Sequence, residues 1–105
     1  MVKCKIEQIE TLIDKPNSED QYFFDFINTS DLQAGILKVS TNTKDTQQPH
    51  PVDELYYVIK GSGYIQIGGN NNFIKEGSVI FVPANVEHKF LSSKELVVLY
   101  ILGST

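Results

Sequence analysis

The sequence predicts an all-β protein built as a barrel or sandwich of short strands. Short runs of β-branched and aromatic residues recur along the whole chain. A turn signal containing Gly, Pro, Asn or Ser closes each run after about eight to twelve positions. No long segment has the periodicity of an amphipathic helix. Evenly spaced short strands of this kind are typical of β-sandwiches and β-barrels.

The runs predict nine strands, and the stretch 8–14 could hold one turn of helix. The strands are expected at residues 2–9, 22–29, 34–41, 54–60, 63–68, 72–75, 78–82, 88–91 and 96–102. Gly61 and Gly77 fall between predicted strands, where a turn can require backbone angles that other residues resist. We expect both glycines to serve turns.

Length and composition predict one globular domain spanning residues 1–105. Of the 105 residues, 41% are hydrophobic, which is enough to form a core. The longest apolar runs, such as residues 97–102, are much shorter than the roughly 20 residues that span a bilayer. The first residues alternate with charges and lack the apolar centre of a secretion signal. Cys4 is the single cysteine, which rules out an internal disulfide. We therefore expect a cytoplasmic protein that does not bind membranes.

The charge pattern disfavours nucleic acid as a partner. The formal net charge is −4, and all nine basic residues are lysines. The lysines are scattered and form no basic stripe for a phosphate backbone. Without arginine the chain also lacks the side chain best suited to two-point binding of phosphate, so a phosphorylated substrate is disfavoured.

The two histidines of the chain lie in segments that suit a metal site. Alternate residues of a strand share a face, so Gln48, His50 and Glu54 could all point into a barrel. His88 would enter from a separate strand. Two imidazoles, a carboxylate and an amide oxygen suit a divalent first-row metal with positions left open for substrate.

The same segments resemble the two sequence motifs of the cupin superfamily. The first motif, His-x-His followed by Glu and then Gly, is matched by Gln48, His50, Glu54 and Gly61, with Gln48 in place of the first histidine. The second motif is matched by Gly77, Pro83 and His88, with Asn85 in place of its glycine and Ser92 in place of its asparagine. Fifteen residues separate Gly61 from Gly77, similar to the shortest spacers of the family.

The resemblance implies a small single-domain cupin with the double-stranded β-helix (jelly-roll) barrel. It also implies a divalent metal ion held by Gln48, His50, Glu54 and His88. Because an amide oxygen is a harder and weaker donor than imidazole, Fe, Mn, Ni or Zn fit this set better than Cu. Gln47 is an alternative to Gln48 if the bend at Pro49 shifts the register.

Other residues are assigned weaker roles. If Glu54 points inward, Tyr56 does too, and Tyr57 points outward. Glu54 could then act as a ligand or a general base. Tyr56 could donate a hydrogen bond near the metal or contact substrate, although core packing explains Tyr56 better. Phe81 and Phe90 are expected to line the pocket. Its walls are expected to come from strands 22–29, 34–41 and the last strand.

Three functions remain open. The first is a metal-dependent enzyme, dioxygenase-like, that acts on a small organic substrate. The alternative is a non-catalytic cupin that binds a small molecule or metal. The third is an activity similar to that of cupin sugar isomerases, which the missing arginine makes less attractive. The resemblance also implies a homodimer formed through an exposed edge strand such as residues 2–9.

Overall fold

The computed structural model describes residues 4–16, 22–40, 49–92 and 94–103. They form one short helix and eight strands: α1 (Ile9–Leu12), β1 (Phe23–Asn28), β2 (Gln33–Val39), β3 (Glu54–Lys60), β4 (Ser62–Ile67), β5 (Asn70–Lys75), β6 (Val79–Val82), β7 (His88–Leu91) and β8 (Leu96–Leu102). All eight overlap strands predicted from the sequence. No helix in the described ranges is long and apolar enough to cross a membrane.

The strand predicted at residues 2–9 is wrong where the structure describes it. Residues 4–8 adopt no regular secondary structure, and Ile9 begins α1, inside the stretch where one turn of helix was expected. The alternating pattern did not produce a strand because the segment buries nothing: Ile6 is 90% exposed. A strand is stabilised by packing against its neighbours, and residues 4–8 are all exposed.

The strands form two antiparallel sheets. The larger sheet has the order β1-β2-β8-β3-β6 and the smaller one β5-β4-β7. The main core contains side chains from both sheets, among them Tyr56 and Val98 from the larger, and Ile65 and Phe90 from the smaller. The sheets therefore face each other across one apolar interior.

Strand β3 shows how the sequence determines which side chains face that interior. Glu54, Tyr56 and Val58 are buried, whereas Leu55 and Tyr57 are 41% and 44% exposed. This confirms that Glu54 and Tyr56 share the inner face and that Tyr57 points away. Phe81 is 58% exposed, so it does not line the pocket. It pairs with the outward-facing Leu55 and shares its side of the sheet.

The outer face of the larger sheet has a second, smaller core. Leu12 of α1 packs there with Ile36 of β2 and Val97 of β8. The helix thus covers the part of the sheet opposite the main core. Both faces of β2 and β8 are consequently buried, which holds these two strands in place behind the site.

Several turns use left-handed backbone, among them the predicted turn at Gly77, which has a φ of 88°. Gly61, between β3 and β4, has a φ of 88°, and a Cβ there would lie 2.3 Å from the carbonyl oxygen of Glu95. Asn85, just before β7, has a φ of 67°. Asn85 stands where the second cupin motif has glycine, and asparagine tolerates this conformation better than most residues.

Candidate functional site

Glu54 and His88 meet in the interior from opposite sheets. Glu54 is the first residue of β3 and His88 the first residue of β7. They are the buried charged or polar residues of the described part of the chain, at 2% and 4% exposure. His88 Nε2 lies 3.4 Å from Glu54 Oε1. The two sheets therefore place a carboxylate and an imidazole side by side out of contact with bulk water.

Tyr56 completes a cluster of three side chains. Its hydroxyl donates a hydrogen bond to Glu54 Oε2 and lies 2.8 Å from His88 Nε2. The Tyr56 ring is fully buried and packs edge-on against Phe90, with 4.9 Å between ring centroids. Packing fixes the ring while the hydroxyl joins the polar cluster, so both roles weighed for Tyr56 are compatible.

The orientation of the His88 ring follows from its second nitrogen. His88 Nδ1 lies 2.9 Å from the carbonyl oxygen of Val86, which can only accept a hydrogen bond. Nδ1 therefore carries a hydrogen, and in the neutral ring Nε2 has a lone pair directed at Glu54 and Tyr56. A backbone carbonyl that orients an imidazole in this way is the usual arrangement behind a metal-bound histidine.

In the cluster, two acceptor atoms compete for the one hydrogen of the Tyr56 hydroxyl. The Glu54–Tyr56 and Tyr56–His88 contacts each require a hydrogen between the paired atoms, but the Tyr56 hydroxyl has one hydrogen to give. With Glu54 ionised and His88 neutral, one contact would set two lone pairs against each other. Either an additional proton on His88 or Glu54, or a cation that binds these lone pairs, resolves the conflict.

His50 lies next to the cluster, in the loop before β3. Its Nε2 is 3.9 Å from Glu54 Oε1, its ring centroid is 6.4 Å from that of His88, and its side chain is 34% exposed. The loop is anchored to the segment before β7, because Asn85 N–H donates to the His50 carbonyl at 2.7 Å and Ala84 N–H donates to Asp53 Oδ1 at 2.9 Å. These contacts bring the two motif segments together.

The distance between Glu54 and His88 suits two ligands of one metal ion, whereas the distance between Glu54 and His50 is too long. Atoms that bind one ion at about 2.1 Å are roughly 3.0–3.4 Å apart for octahedral or tetrahedral angles. The Glu54–His88 distance matches this range, and the Glu54–His50 distance exceeds it by about half an ångström. Within the described ranges, no group of three or more His, Cys, Asp and Glu side chains meets the geometry of a metal site. Gln48 and its alternative Gln47 lie outside the described residues.

A cavity of about 300 Å³ opens beside His50. It is lined by Tyr22, Phe23, Asp25, Gln33, Leu37, His50, Tyr100 and Leu102. Apart from His50, these residues lie on β1, β2 and β8 or directly before β1, as expected for the pocket walls. The volume is at the lower limit of typical small-molecule sites, so it suits a compact ligand.

A second polar cluster in this cavity was not predicted from the sequence. The Tyr100 hydroxyl donates to Asp25 Oδ1, and Gln33 Nε2 lies 3.1 Å from both oxygens of Asp25. Burial raises the pKa of Tyr100 above its ordinary value, and the hydrogen bond and negative charge of Asp25 raise it further. A carboxylate within the apolar run Phe23-Phe24-Asp25-Phe26-Ile27 was the available signal.

Comparisons with known proteins agree with this architecture. The family model described as a cupin domain matches residues 35–102. An uncharacterized protein of Streptomyces coelicolor is 34% identical over 73 residues, which cover 70% of this chain and 70% of that protein.

Solved structures show the same fold at lower identity. An uncharacterized conserved protein with a double-stranded β-helix domain from Klebsiella pneumoniae superimposes with a TM-score of 0.79 at 14% identity, over 96% of this chain and 90% of that one. The EutQ protein of Clostridium difficile gives a TM-score of 0.68 at 23% identity, over 80% of this chain. The present chain covers 62% of that EutQ chain. Fold class and family are thus confirmed: the chain belongs to the cupin family and has its double-stranded β-helix barrel.

Proposed function

We propose that this cupin is a metal-dependent enzyme acting on a small organic substrate, with the ion held by Glu54, His88 and His50. The observation that supports the proposal is the buried Glu54–Tyr56–His88 cluster, in which a carboxylate oxygen and an imidazole nitrogen oriented by a backbone carbonyl lie 3.4 Å apart. A buried carboxylate is costly unless opposite charge or hydrogen bonds compensate it. Within the described residues the ion pairs of Glu54 are with the two histidines, and none is with a lysine.

The donor set determines which ions are proposed. Imidazole nitrogens and a carboxylate suit Fe, Mn, Ni or Zn, and an amide oxygen from Gln48 or Gln47 as a fourth ligand makes Cu less suitable. His50 would have to approach Glu54 by about half an ångström to share the ion. It stands on a loop and is partly exposed, so this movement disturbs no strand.

The chain's own groups then have separate tasks. A bound ion would supply Lewis-acid polarisation of a substrate oxygen. Glu54 and the Tyr56 hydroxyl can hold or pass a proton, since they already share one. The cavity beside His50 would orient the substrate, and the apolar walls would keep water from the reacting atoms. Dioxygenase-like chemistry is one reaction class that this arrangement could carry.

Elemental analysis tests the metal directly. The protein is purified without a metal-affinity tag and loaded separately with Fe(II), Mn(II), Ni(II) or Zn(II). Wild type should retain one of these ions stoichiometrically, and Glu54→Gln and His50→Ala should lose most of it. Glu87→Gln is the matched control, because it makes the same change on an exposed side chain next to His88. Equal metal contents in wild type, Glu54→Gln and His50→Ala would refute the proposed site.

Turnover separates the enzyme from the non-catalytic alternative. Oxygen consumption is measured for the loaded protein with diketones, phenols and thiols, and product formation is followed by mass spectrometry. Activity that is lost in Glu54→Gln supports the enzyme. Stoichiometric metal without turnover of any substrate would favour the cupin that only binds.

We also propose a homodimer, formed through a different surface from the strand expected at residues 2–9. Four apolar side chains form a patch on the outer face of β3 and β6, where Leu55 pairs with Phe81 and Tyr57 with Val79. They are 41–65% exposed. Contiguous exposed apolar surface of this kind marks interaction sites, and a two-fold dimer would cover both copies of the patch.

Light scattering tests this dimer. Wild type should be dimeric at micromolar concentration, and Phe81→Lys should be monomeric. Phe73→Lys, a change at a similarly exposed ring on the smaller sheet, should stay dimeric. A monomeric wild type would contradict the proposal.

A further inference from the structure

The cavity beside His50 contains a carboxylate whose charge the neighbouring described residues do not balance. Asp25 is hydrogen-bonded by the Tyr100 hydroxyl and the Gln33 amide, and both donors are neutral. Within the described ranges no salt bridge reaches Asp25, and no lysine lines the cavity. Because the pKa of Tyr100 is raised, its hydroxyl keeps the proton and remains a donor to Asp25.

The arrangement of the strands shows that this cluster is built into the fold. Asp25, Gly35 and Tyr100 lie in register on the neighbouring strands β1, β2 and β8. The Tyr100 ring passes over Gly35 to reach Asp25, and a Cβ at Gly35 would lie 2.3 Å from the Tyr100 hydroxyl oxygen. The missing side chain on the middle strand is therefore what allows β8 to hold a group on β1.

Asp25 has acceptor capacity left for a ligand. A carboxylate offers about four acceptor positions. Among the described residues, Oδ1 accepts from Tyr100 and Gln33, and Oδ2 accepts from Gln33 alone. A donor arriving in the cavity could bind Oδ2 without displacing either neighbour. A charged donor would gain more than a neutral one, because the attraction between opposite charges in a partly buried site adds to the hydrogen bond that either donor can make.

The remaining walls suit the same kind of ligand. Tyr22 and Phe23 meet edge to face, with 5.3 Å between their ring centroids, and Tyr100 adds a third ring. Leu37 and Leu102 complete an apolar lining. Aromatic rings attract cations through their π faces, and such contacts strengthen when water is excluded. An anion would meet Asp25 without a lysine to offset the repulsion.

We propose that the cavity binds a small organic ammonium ion, a protonated amine on a compact apolar body, with its nitrogen at Asp25. If the proposed metal centre is correct, this ligand class is also the substrate class, because His50 borders both sites. The part that concerns substrate rests on the proposed function. The binding itself requires no metal.

The test compares three probes of nearly equal shape and different charge. Benzylamine, benzyl alcohol and benzoate are titrated by ligand-observed NMR and calorimetry near pH 7, with both metal-free and metal-loaded protein. Benzylammonium should bind metal-free wild type at least about tenfold more tightly than benzyl alcohol, because its positive charge adds ion-pair attraction to the hydrogen bond that both probes can make to Asp25. Benzoate should bind most weakly. Equal affinities for the amine and the alcohol, or preference for benzoate, would overturn the proposal.

Variants then test whether Asp25 is the residue that binds the ammonium nitrogen. Asp25→Asn should reduce the amine's affinity to that of the alcohol, whereas Asp31→Asn, an exposed carboxylate in the turn after β1, should leave the ratio unchanged. Glu54→Gln should keep the preference for the amine; its loss there would place the ammonium ion at Glu54 and refute Asp25 as its partner. If Asp25→Asn does not fold, the wild-type charge series and Glu54→Gln still decide the question.

Metal content and amine binding also separate the two proposals. Amine preference without any metal binding would support this inference and refute the proposed metal centre. Metal binding without amine preference would support the proposed metal centre and refute this inference.

Discussion

The described part of the molecule has two tyrosine–carboxylate clusters, and they differ in how the fold builds them. The Glu54–Tyr56–His88 cluster joins both sheets, and its carboxylate is 2% exposed. The Asp25–Gln33–Tyr100 cluster lies across three neighbouring strands of one sheet and faces a cavity. The same pair of groups is thus enclosed in one place and accessible in the other. This difference in access is why we propose an ion at the enclosed cluster and a larger ligand at the open one.

The strongest test of the enclosed cluster removes His88. His88→Ala leaves Glu54 buried and without its imidazole neighbour, and breaking a buried charged pair typically costs about 3–5 kcal/mol. We expect a loss of that order in the free energy of unfolding, measured by urea denaturation, together with loss of bound metal. Lys89→Ala, an exposed neighbour on β7, should change stability little. If His88→Ala is as stable as Lys89→Ala, His88 does not stabilise the buried Glu54.

The enclosed cluster was predictable from sequence because its residues lie in two short motifs. The alternation of Glu54, Tyr56 and Val58 placed them on one face, and the spacing of the motifs brought His88 to them. The open cluster was not predictable in the same way. Asp25, Gly35 and Tyr100 are far apart in the chain, and their contact depends on β8 lying next to β2, which local patterns do not specify.

Two predictions were wrong for a similar reason, because local patterns do not specify which strands lie next to each other. Phe81 was assigned to the pocket because it is aromatic, but its pairing with Leu55 determines that it faces outward. The alternation at residues 2–9 resembles a strand, yet residues 4–8 are exposed and form no strand. Local patterns thus predicted the strands themselves better than their partners.

The open cluster depends on the missing side chain at Gly35. In Gly35→Ala the new Cβ would lie 2.2 Å from the Phe24 carbonyl oxygen and 2.3 Å from the Tyr100 hydroxyl oxygen. Overpacking of this kind costs about 1–3 kcal/mol, and we expect a loss in this range by denaturant unfolding. Gly103→Ala is the matched control, because the nearest atom would be 4.0 Å from its Cβ. If both variants are equally stable, β1 and Tyr100 adjust easily and the cluster is not fixed by the strands.

Deleting one hydroxyl from each cluster compares the two directly. Tyr56→Phe removes a donor to the enclosed Glu54 and should cost about 2 kcal/mol, within the range for hydrogen bonds to charged groups. Tyr100→Phe should cost about 1 kcal/mol, since Asp25 is only partly buried and keeps the Gln33 amide. Unfolding of both variants in the same buffer measures the difference. A larger loss for Tyr100→Phe would reverse the proposed ranking of the clusters.

The smallest effect is a pH dependence that belongs to the open cluster. The pKa of Tyr100 is raised in the folded state by burial and by Asp25, so the folded protein keeps this proton to higher pH than the unfolded chain does. The contribution is constant below the unfolded tyrosine value of about 10 and is lost as the pH rises above it. The free energy of unfolding should therefore fall above that pH, by at most about 1.4 kcal/mol per pH unit for one proton. Tyr100→Phe should lack this component, whereas Tyr57→Phe, which removes an exposed tyrosine, should retain it. Identical pH profiles for wild type and Tyr100→Phe would mean that Tyr100 and Asp25 are not coupled as the geometry indicates.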